Sequence, residues 1–387
     1  MPGIGPDGAD IGGSCDARFA AVREALRENL AERDELGAAV AVVLEGRPVV
    51  DLWCGWTDAA RTRPWREDTI VSAFSVGKPL AGLCLLMLVS RGLVDLDEAV
   101  ASRWPAFAQA GKEGITVRQV LSHQAALPAI SQQLPEGALY EWELVTGALE
   151  RQAPWWAPGE GHGYHVHTFG YLVGEVVRRA CGEPVDSFLH REIAQPLGAQ
   201  VSFGLEPPLR GRRADYVFEQ ATAAQAEALM RSGAVSELRA RAYLNPPGAM
   251  GVGTVNTAAW QDAVIPSANL HAEARGVARV YAALAQHDCP LLDAGVLAEA
   301  RSEACAGTDL VLERPSRFGL GFQLTQPERP MGTNEGSFGH FGAGGSVAFA
   351  DPHAGLAFAY LMNRGGPQWQ DPRNRALIDA TYEALAR

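Results

Sequence analysis

Residues 72–89 read Ser-Ala-Phe-Ser-Val-Gly-Lys-Pro-Leu-Ala-Gly-Leu-Cys-Leu-Leu-Met-Leu-Val, a serine and a lysine followed by the longest apolar run of the chain. The run from Leu80 to Val89 has ten residues, whereas a helix that crosses a bilayer needs about 20. We therefore expect a buried helix, and Gly92 after it suits a helix C-cap. Because Ser75 and Lys78 stand three positions apart, a helix places both side chains on one face.

Lysine is rare in this chain, since only Lys78 and Lys112 among its 33 lysines and arginines are lysine. Arginine can replace lysine wherever only a positive charge is needed, but a guanidinium does not accept a proton at any working pH. A lysine kept one helical turn after a serine therefore predicts a Ser-Lys nucleophile pair, with a lysine pKa lowered by burial. The local pattern alone also fits a serine N-cap followed by a solvated lysine.

The composition is that of a globular protein, with 387 residues, 47% hydrophobic and 20% charged, and a formal net charge of −12. Such acidity argues against nucleic acid or an anionic membrane as a partner. Met1–Asp16 lacks the apolar core of a secretory signal, and the six cysteines lack CxxC spacing, so we expect free thiols and a cytoplasmic location. No cofactor is implied, and a homo-oligomer is compatible with the sequence.

Strands are predicted at both ends of the chain, with helices between them. Gly37–Leu44 and Arg47–Gly55 are apolar runs joined by Glu45-Gly46, which is typical of a hairpin. Residues 346–350 and 356–362 flank a second turn, and an amphipathic helix is expected over about 374–386. The simplest architecture is a sheet lobe built from both ends and packed on a helical lobe, with a site in the crevice.

Tyr164 is a candidate proton carrier. It follows Pro158-Gly159 and further glycines, which predicts a loop before the helix from Phe169. A phenol beside a lysine ammonium loses its proton more easily, so this side chain can take the serine proton and hand it to a leaving group. His162, His165 and His167 nearby would suggest a metal, but Glu160 alone offers a further ligand, and we predict none.

The segment His340-Phe341-Gly342-Ala343 precedes an apolar β run and leads into two further glycines. A glycine-rich edge lets a substrate lie against the backbone, and the N–H groups of Ser75 and Ala343 would then form an oxyanion hole. His340, Phe341 and Gly342 are expected to line the substrate site. Further candidates for substrate contact are Trp155, Trp156 and His165, although tryptophans are more often core residues.

These three elements, Ser75-x-x-Lys78, a tyrosine after Pro-Gly and a His-x-Gly near the C-terminus, resemble in this order the serine β-lactamase and penicillin-binding-protein superfamily. Segments 64–69, 92–97, 120–128 and 170–175 are similar to its class C-like branch, and the resemblance covers about residues 18–385. It implies an α/β (α+β) two-lobe fold. An antiparallel sheet lobe with flanking helices (about 15–75 and 310–387) and an all-helical lobe (about 76–309) would form one catalytic domain, 15–387.

Within the superfamily the chain most resembles the family VIII carboxylesterases. The tyrosine motif of β-lactamases is Tyr-x-Asn, and here it is Tyr164-His165-Val166. Their third motif is Lys-Thr-Gly, and here His340 replaces the lysine, so the fixed charge that would hold a β-lactam carboxylate is missing at that position. Both departures favour an esterase.

We therefore expect a cytoplasmic serine hydrolase that cleaves esters of short to medium acyl chains through an acyl-enzyme on Ser75, with Lys78 and Tyr164 as general base and acid. The same site also fits a β-lactamase, a D-aminopeptidase or amidase, or an acyltransferase. Two other hypotheses remain. One is an α/β-hydrolase, since Ala73–Gly77 is close to Gly-x-Ser-x-Gly and His340 comes late. The other is a non-catalytic member that only binds a ligand in the cleft.

Overall fold

The computed structural model describes residues 11–218, 225, 228–366 and 370–386. The strands in these ranges are β1 (Gly12–Cys15), β2 (Gly37–Leu44), β3 (Arg47–Gly55), β4 (Val71–Phe74), β5 (Val201–Phe203), β6 (Leu270–Ala272), β7 (Cys305–Thr308), β8 (Pro315–Phe318), β9 (Gln323–Leu324), β10 (Phe338–Phe341), β11 (Val347–Asp351) and β12 (Leu356–Met362). The α-helices are α1 (Ala20–Glu32), α2 (Lys78–Ser90), α3 (Val117–Leu121), α4 (Trp142–Arg151), α5 (Thr168–Cys181), α6 (Val185–Leu189), α7 (Gln195–Leu197), α8 (Glu237–Leu244), α9 (Ala258–Asp262), α10 (Ala274–Ala285), α11 (Ala294–Ala300) and α12 (Pro372–Ala386).

The main sheet is antiparallel and, within the described residues, has the strand order β1-β3-β2-β12-β11-β10-β9-β8-β7. The predicted β2–β3 hairpin is confirmed, and β2 also pairs along its length with β12, from Leu44 opposite Leu356 to Ala38 opposite Met362. Every residue of β12 is buried, because α10 packs against β2, β11 and β12. The centre of the sheet thus joins the two ends of the chain.

A second, smaller sheet has the order β4-β6-β5 and is also antiparallel. Its strands β5 and β6 come from the segment that was expected to form an all-helical lobe. Helix α10 comes from the same segment, but it packs against the main sheet. Strands of three residues are too short for an alternating pattern to reveal them. The segment 76–309 is therefore mainly rather than wholly helical, and the lobe boundaries given above remain predictions.

Helix α2 occupies the centre of the molecule, as its uniformly apolar sequence indicates. Its residues from Lys78 to Leu88 are buried, and it packs against α5 and α6. The 3₁₀ turn Ser75–Gly77 at its start contacts β6 and β10. The start of α2 therefore lies where the helical region meets the C-terminal strands.

The α+β two-lobe prediction is confirmed in its class, and the α/β-hydrolase hypothesis is wrong because that fold is built on a mostly parallel sheet. None of the helices in the described ranges is both long and apolar enough to cross a membrane. All six cysteines are free thiols.

Candidate active site

Ser75 lies at a strained junction between strand and helix. Phe74, the last residue of β4, has a φ of 49° and a ψ of −125°, a backbone conformation that costs a bulky residue free energy and is often found at functional sites. The chain then enters the 3₁₀ turn Ser75–Gly77 and continues into α2. This path presents the Ser75 hydroxyl at the start of a buried helix.

Lys78 is completely buried directly beside that hydroxyl. Its Nζ lies 3.1 Å from Ser75 Oγ, 2.8 Å from the Val166 carbonyl oxygen and 2.9 Å from the Ser267 carbonyl oxygen. Burial lowers the pKa of Lys78 well below that of an ordinary lysine. A neutral amine donates two N–H groups, which the two carbonyls accept, and its lone pair then faces the serine hydroxyl. This geometry suits proton removal from Ser75.

Tyr164 closes the other side of the serine. Its ring centroid lies 4.7 Å from Lys78 Nζ, and its backbone N–H donates to the buried Asp309 carboxylate at 3.0 Å. Burial raises the pKa of the Tyr164 phenol, while a side-chain hydrogen bond with Ser75 opposes the rise. The prediction that the Tyr164 phenol loses its proton easily is therefore wrong for the resting site. The phenol is buried, and the lysine whose charge would have promoted ionisation has a lowered pKa itself.

His340 is held in one tautomer at the edge of the site. Its Nδ1 lies 2.6 Å from the Phe341 carbonyl oxygen, which can only accept, so Nδ1 carries the proton and Nε2 is an acceptor. Among the described residues Nε2 has no hydrogen-bond partner. Burial is the main cause that lowers the pKa of His340 to about 3. The ring is therefore neutral at working pH and 5.8 Å from the Tyr164 ring.

A cavity of about 120 Å³ joins these groups, and six of the predicted residues line it: Ser75, Tyr164, His340, Phe341, Gly342 and Ala343. Gly342 must remain a glycine, because a Cβ there would lie 2.5 Å from the Ala73 carbonyl oxygen.

The structure does not bring three of the predicted contacts into this cavity, since Trp155, Trp156 and His165 are not part of its wall. Trp155 donates from Nε1 to the Ala129 carbonyl at 2.8 Å, and Trp156 lies against the glycine-rich loop. His165 is fully buried, with Nδ1 2.7 Å from the Gly163 carbonyl oxygen and Nε2 accepting from the Leu127 N–H. These side chains brace the loop that carries Tyr164.

Sequence reasoning missed other wall residues, notably His167, Tyr243, Gln323, Arg314 and Arg329. His167 is 7% exposed, and neither ring nitrogen has a hydrogen-bond partner among the described residues. The sequence suggested His167 only as a metal ligand. Its position at the N-terminus of α5, beside the loop that carries Tyr164, could also have indicated a place in the site. The two arginines lie in connections between strands of the C-terminal sheet, where no motif marks them.

Comparison with known proteins gives a consistent result. A family model described as Beta-lactamase matches residues 22–383. The chain is 33% identical over 372 residues to Esterase/beta-lactamase LipL of Mycobacterium tuberculosis, covering 93% of this chain and 85% of that protein. The crystal structure of a family VIII carboxylesterase matches with a TM-score of 0.89 and 35% identity, and the match covers 97% of this chain and 100% of that chain. A penicillin-binding-protein homologue of Caulobacter crescentus matches with a TM-score of 0.88 and 38% identity, with coverage of 97% and 100%.

Proposed function

Because the chain belongs to the beta-lactamase family and is a carboxylesterase-type hydrolase, we propose that it cleaves small carboxylic esters through an acyl-enzyme on Ser75. The observation that carries the proposal is the buried Lys78 amine, 3.1 Å from Ser75 Oγ and with a strongly lowered pKa. A serine hydroxyl is a weak nucleophile until a neighbouring base takes its proton.

In the acylation step, Ser75 Oγ attacks the ester carbonyl carbon and its proton passes to the neutral Lys78 amine. The oxyanion that forms accepts hydrogen bonds from the backbone N–H groups of Ser75 and Ala343. As the carbon–oxygen bond to the alcohol breaks, the Tyr164 phenol protonates the departing alkoxide, and the Lys78 ammonium returns a proton to Tyr164. A high phenol pKa and a low amine pKa suit these roles, since each group rests in its neutral form.

Deacylation repeats the same proton transfers with water in place of the alcohol. Water attacks the acyl carbonyl, its proton goes to the Lys78–Tyr164 pair, and Ser75 leaves as the protonated hydroxyl. These two groups are coupled, so the pair rather than either residue titrates. An amide, a β-lactam or a second alcohol could enter the same cycle, and a panel of chromogenic esters with a cephalosporin separates these substrates.

The experiment that tests the proposal is intact-mass analysis after mixing the protein with a fluorophosphonate. We expect one adduct on the parent, none on Ser75→Ala, and loss of ester turnover in that variant. Ser72→Ala is the matched control, because Ser72 is a buried serine of the preceding strand, 4% exposed, and this variant should be labelled like the parent. An adduct on Ser75→Ala, or none on a folded parent, would contradict the proposal.

A further inference from the structure

His123 lies at a backbone position that favours glycine. It directly follows Ser122, the C-cap of α3, and has a φ of 62°. A helix that ends in a left-handed residue usually carries glycine there, because a side chain is strained in that conformation. A histidine at this position, only 3% exposed, indicates that the side chain has a role that glycine could not fill.

His123 holds the backbone on both sides of Tyr164. Its carbonyl oxygen accepts from the Gly163 N–H at 3.1 Å, and its Nδ1 accepts from the His165 N–H at 3.2 Å. The N–H between them, that of Tyr164 itself, donates to the Asp309 carboxylate at 3.0 Å. Three consecutive backbone N–H groups are therefore fixed, and one residue supplies two of the three acceptors.

The side chains of His123 and His165 are held in opposite tautomers. A backbone N–H can only donate, so His123 Nδ1 carries a lone pair, and the proton of the neutral ring is on Nε2. His165 carries its proton on Nδ1, 2.7 Å from the Gly163 carbonyl oxygen, and its Nε2 accepts from the Leu127 N–H. Burial lowers the pKa of His123 well below that of an ordinary histidine. His123 Nδ1 therefore remains an acceptor at working pH.

The residues after His123 hold the same loop at more distant points. The carbonyl oxygen of Gln124 accepts from the Gly159 N–H at 3.0 Å, and that of Ala126 accepts from the Trp155 N–H at 2.9 Å. These bonds join backbone to backbone, so a change of side chain leaves their donors and acceptors in place. The bond to His123 Nδ1 is different, because a substitution at that position removes it.

The placement of Tyr164 matters because of what its phenol contacts. A side-chain hydrogen bond joins it to Ser75, and its ring centroid lies 4.7 Å from Lys78 Nζ. The His123 ring packs against the same phenol ring, with the centroids 5.2 Å apart. A general acid must lie within hydrogen-bond reach of the atom that it protonates, and a displacement of about 1 Å can cost about 10²-fold in rate.

We propose that His123 is a positioning residue for Tyr164: by accepting from the N–H groups of Gly163 and His165, it fixes the phenol where it can protonate the departing alkoxide. The inference rests on the proposed function, which gives Tyr164 the role of general acid. His123 itself exchanges no proton with the substrate in this proposal and acts through the loop.

The test uses two acetate esters whose leaving groups differ in their need for a proton. p-Nitrophenolate departs readily without one, whereas phenolate departs faster when an acid protonates it. The ratio of kcat/KM for p-nitrophenyl acetate to kcat/KM for phenyl acetate therefore measures general acid catalysis. We expect His123→Phe, which keeps a ring and removes the Nδ1 acceptor, to raise this ratio by about tenfold. A loss of folded enzyme alone lowers both rates equally and leaves the ratio unchanged.

His123→Asn and His123→Gln form a matched pair of amides. The asparagine Oδ1 stands as many bonds from Cα as the histidine Nδ1, and asparagine suits the left-handed backbone, so His123→Asn should keep the parent's ratio. Glutamine places its oxygen one bond farther away, so His123→Gln should raise the ratio, and it replaces His123→Phe if that variant does not fold. His271→Phe is the control and should keep the ratio. His271 is a histidine of β6, 1% exposed, whose ring nitrogens have no hydrogen-bond partner among the described residues.

Tyr164→Phe separates this inference from the proposed function. Its ratio should rise at least as far as that of His123→Phe, and the double variant should show no further rise. The parent's ratio in Tyr164→Phe would remove the general acid and this inference with it. A raised ratio in Tyr164→Phe, combined with the parent's ratio in both His123→Phe and His123→Gln, overturns the inference alone. Equal rises in His123→Asn and His123→Gln would overturn it as well.

Discussion

The two lysines of the chain show what a rare residue can and cannot reveal. Both are completely buried, so the alternative of a solvated Lys78 is wrong. Lys112 Nζ donates to the carbonyl oxygens of Gln109, Glu150 and Gln152, whereas the third neighbour of Lys78 is the Ser75 hydroxyl. Both lysines are equally rare, and only the serine one turn earlier distinguished the proposed base.

This contrast gives a matched pair of variants. Lys78→Arg should lower kcat by about 10²–10⁴-fold, because a guanidinium cannot accept the serine proton. Lys112→Arg disturbs an equally buried amine away from Ser75 and should lower the melting temperature while keeping kcat. Steady-state hydrolysis of p-nitrophenyl acetate with folded protein measures both. An active Lys78→Arg protein would exclude proton transfer to that amine.

At single positions, motif spacing and glycine-rich loops marked residues that the structure brings together: Ser75, Lys78, Tyr164 and His340. Their catalytic roles stay predictions. Arg329 was missed as a wall residue because it lies in a connection between strands, and its contact with the Phe341 ring of β10 has no local signal. The pKa direction of Tyr164 was wrong for a related reason, since burial cannot be read from its neighbours in sequence.

Among the elements, the turn Ala343–Gly345 is the one that shapes the proposed oxyanion hole. Its three carbonyls each accept a side-chain hydrogen bond: Ala343 from Tyr216 at 3.1 Å, Gly344 from Arg373 at 3.0 Å and Gly345 from Asn374 at 2.8 Å. Gly344 has a φ of 78°, and a Cβ there would lie 2.0 Å from the Tyr216 hydroxyl. The turn is thus fixed from outside by residues distant in sequence.

Tyr216 also packs beside Ser75, whose backbone N–H is the other donor of the proposed oxyanion hole. Its ring packs at 4.8 Å against that of Phe74, the residue before Ser75. Tyr216→Phe keeps this packing and removes the bond to Ala343, so we expect kcat to fall by roughly tenfold with little change in KM. Steady-state kinetics on a neutral p-nitrophenyl ester measures the split.

Tyr382→Phe is the control for that variant, because it removes another buried phenol, whose partner is Asp351 at 2.5 Å. It should cost stability without changing kcat. Equal kcat values for the two variants would rule out a positioning role for Tyr216. The glycines predicted this turn, but the donors that hold it could not be predicted, since Tyr216 lies in an irregular segment and Arg373 and Asn374 lie in α12.

At the scale of the whole molecule, a buried ionic group links the two ends of the chain. Glu35, just before β2, accepts from the Tyr360 hydroxyl of β12 and lies 3.3 Å from the Arg373 guanidinium of α12. Arg373 also pairs with Asp371 at 2.7 Å. Burial raises the pKa of Glu35 to about 7, although the charge of Arg373 opposes the rise.

The raised pKa makes stability depend on pH. Between the unfolded pKa of a glutamate, about 4.3, and the folded value the native state holds the extra proton, so the free energy of unfolding falls as pH rises. In the parent, the free energy of unfolding should fall by on the order of 1–3 kcal/mol between about pH 5 and pH 8, and we expect this fall to be absent in Glu35→Gln. Denaturant unfolding at both pH values measures this loss. Glu24→Gln, at an exposed position of α1, should retain the parent's dependence, and an unchanged slope in Glu35→Gln would contradict the assignment.

The overall architecture was predictable because apolar strands at both ends of the chain leave few other ways to bury them. The hairpin β2–β3 is local and was found directly. The register of β2 on β12 and the small sheet β4-β6-β5 were not, since pairing between distant segments leaves no local periodic signal.

The pairing of β2 with β12 has a consequence for synthesis on the ribosome. The hairpin β2–β3 is made long before β12, so the edge of β2 that receives β12 stays open until Leu356–Met362 has been synthesised. Arg18 likewise finds its acceptors, the carbonyls of Ala384 and Leu385, only then. An apolar, unpaired strand edge invites pairing with other chains. The nascent protein therefore exposes an apolar strand edge until β12 is made, and β12 both completes the centre of the sheet and covers that edge.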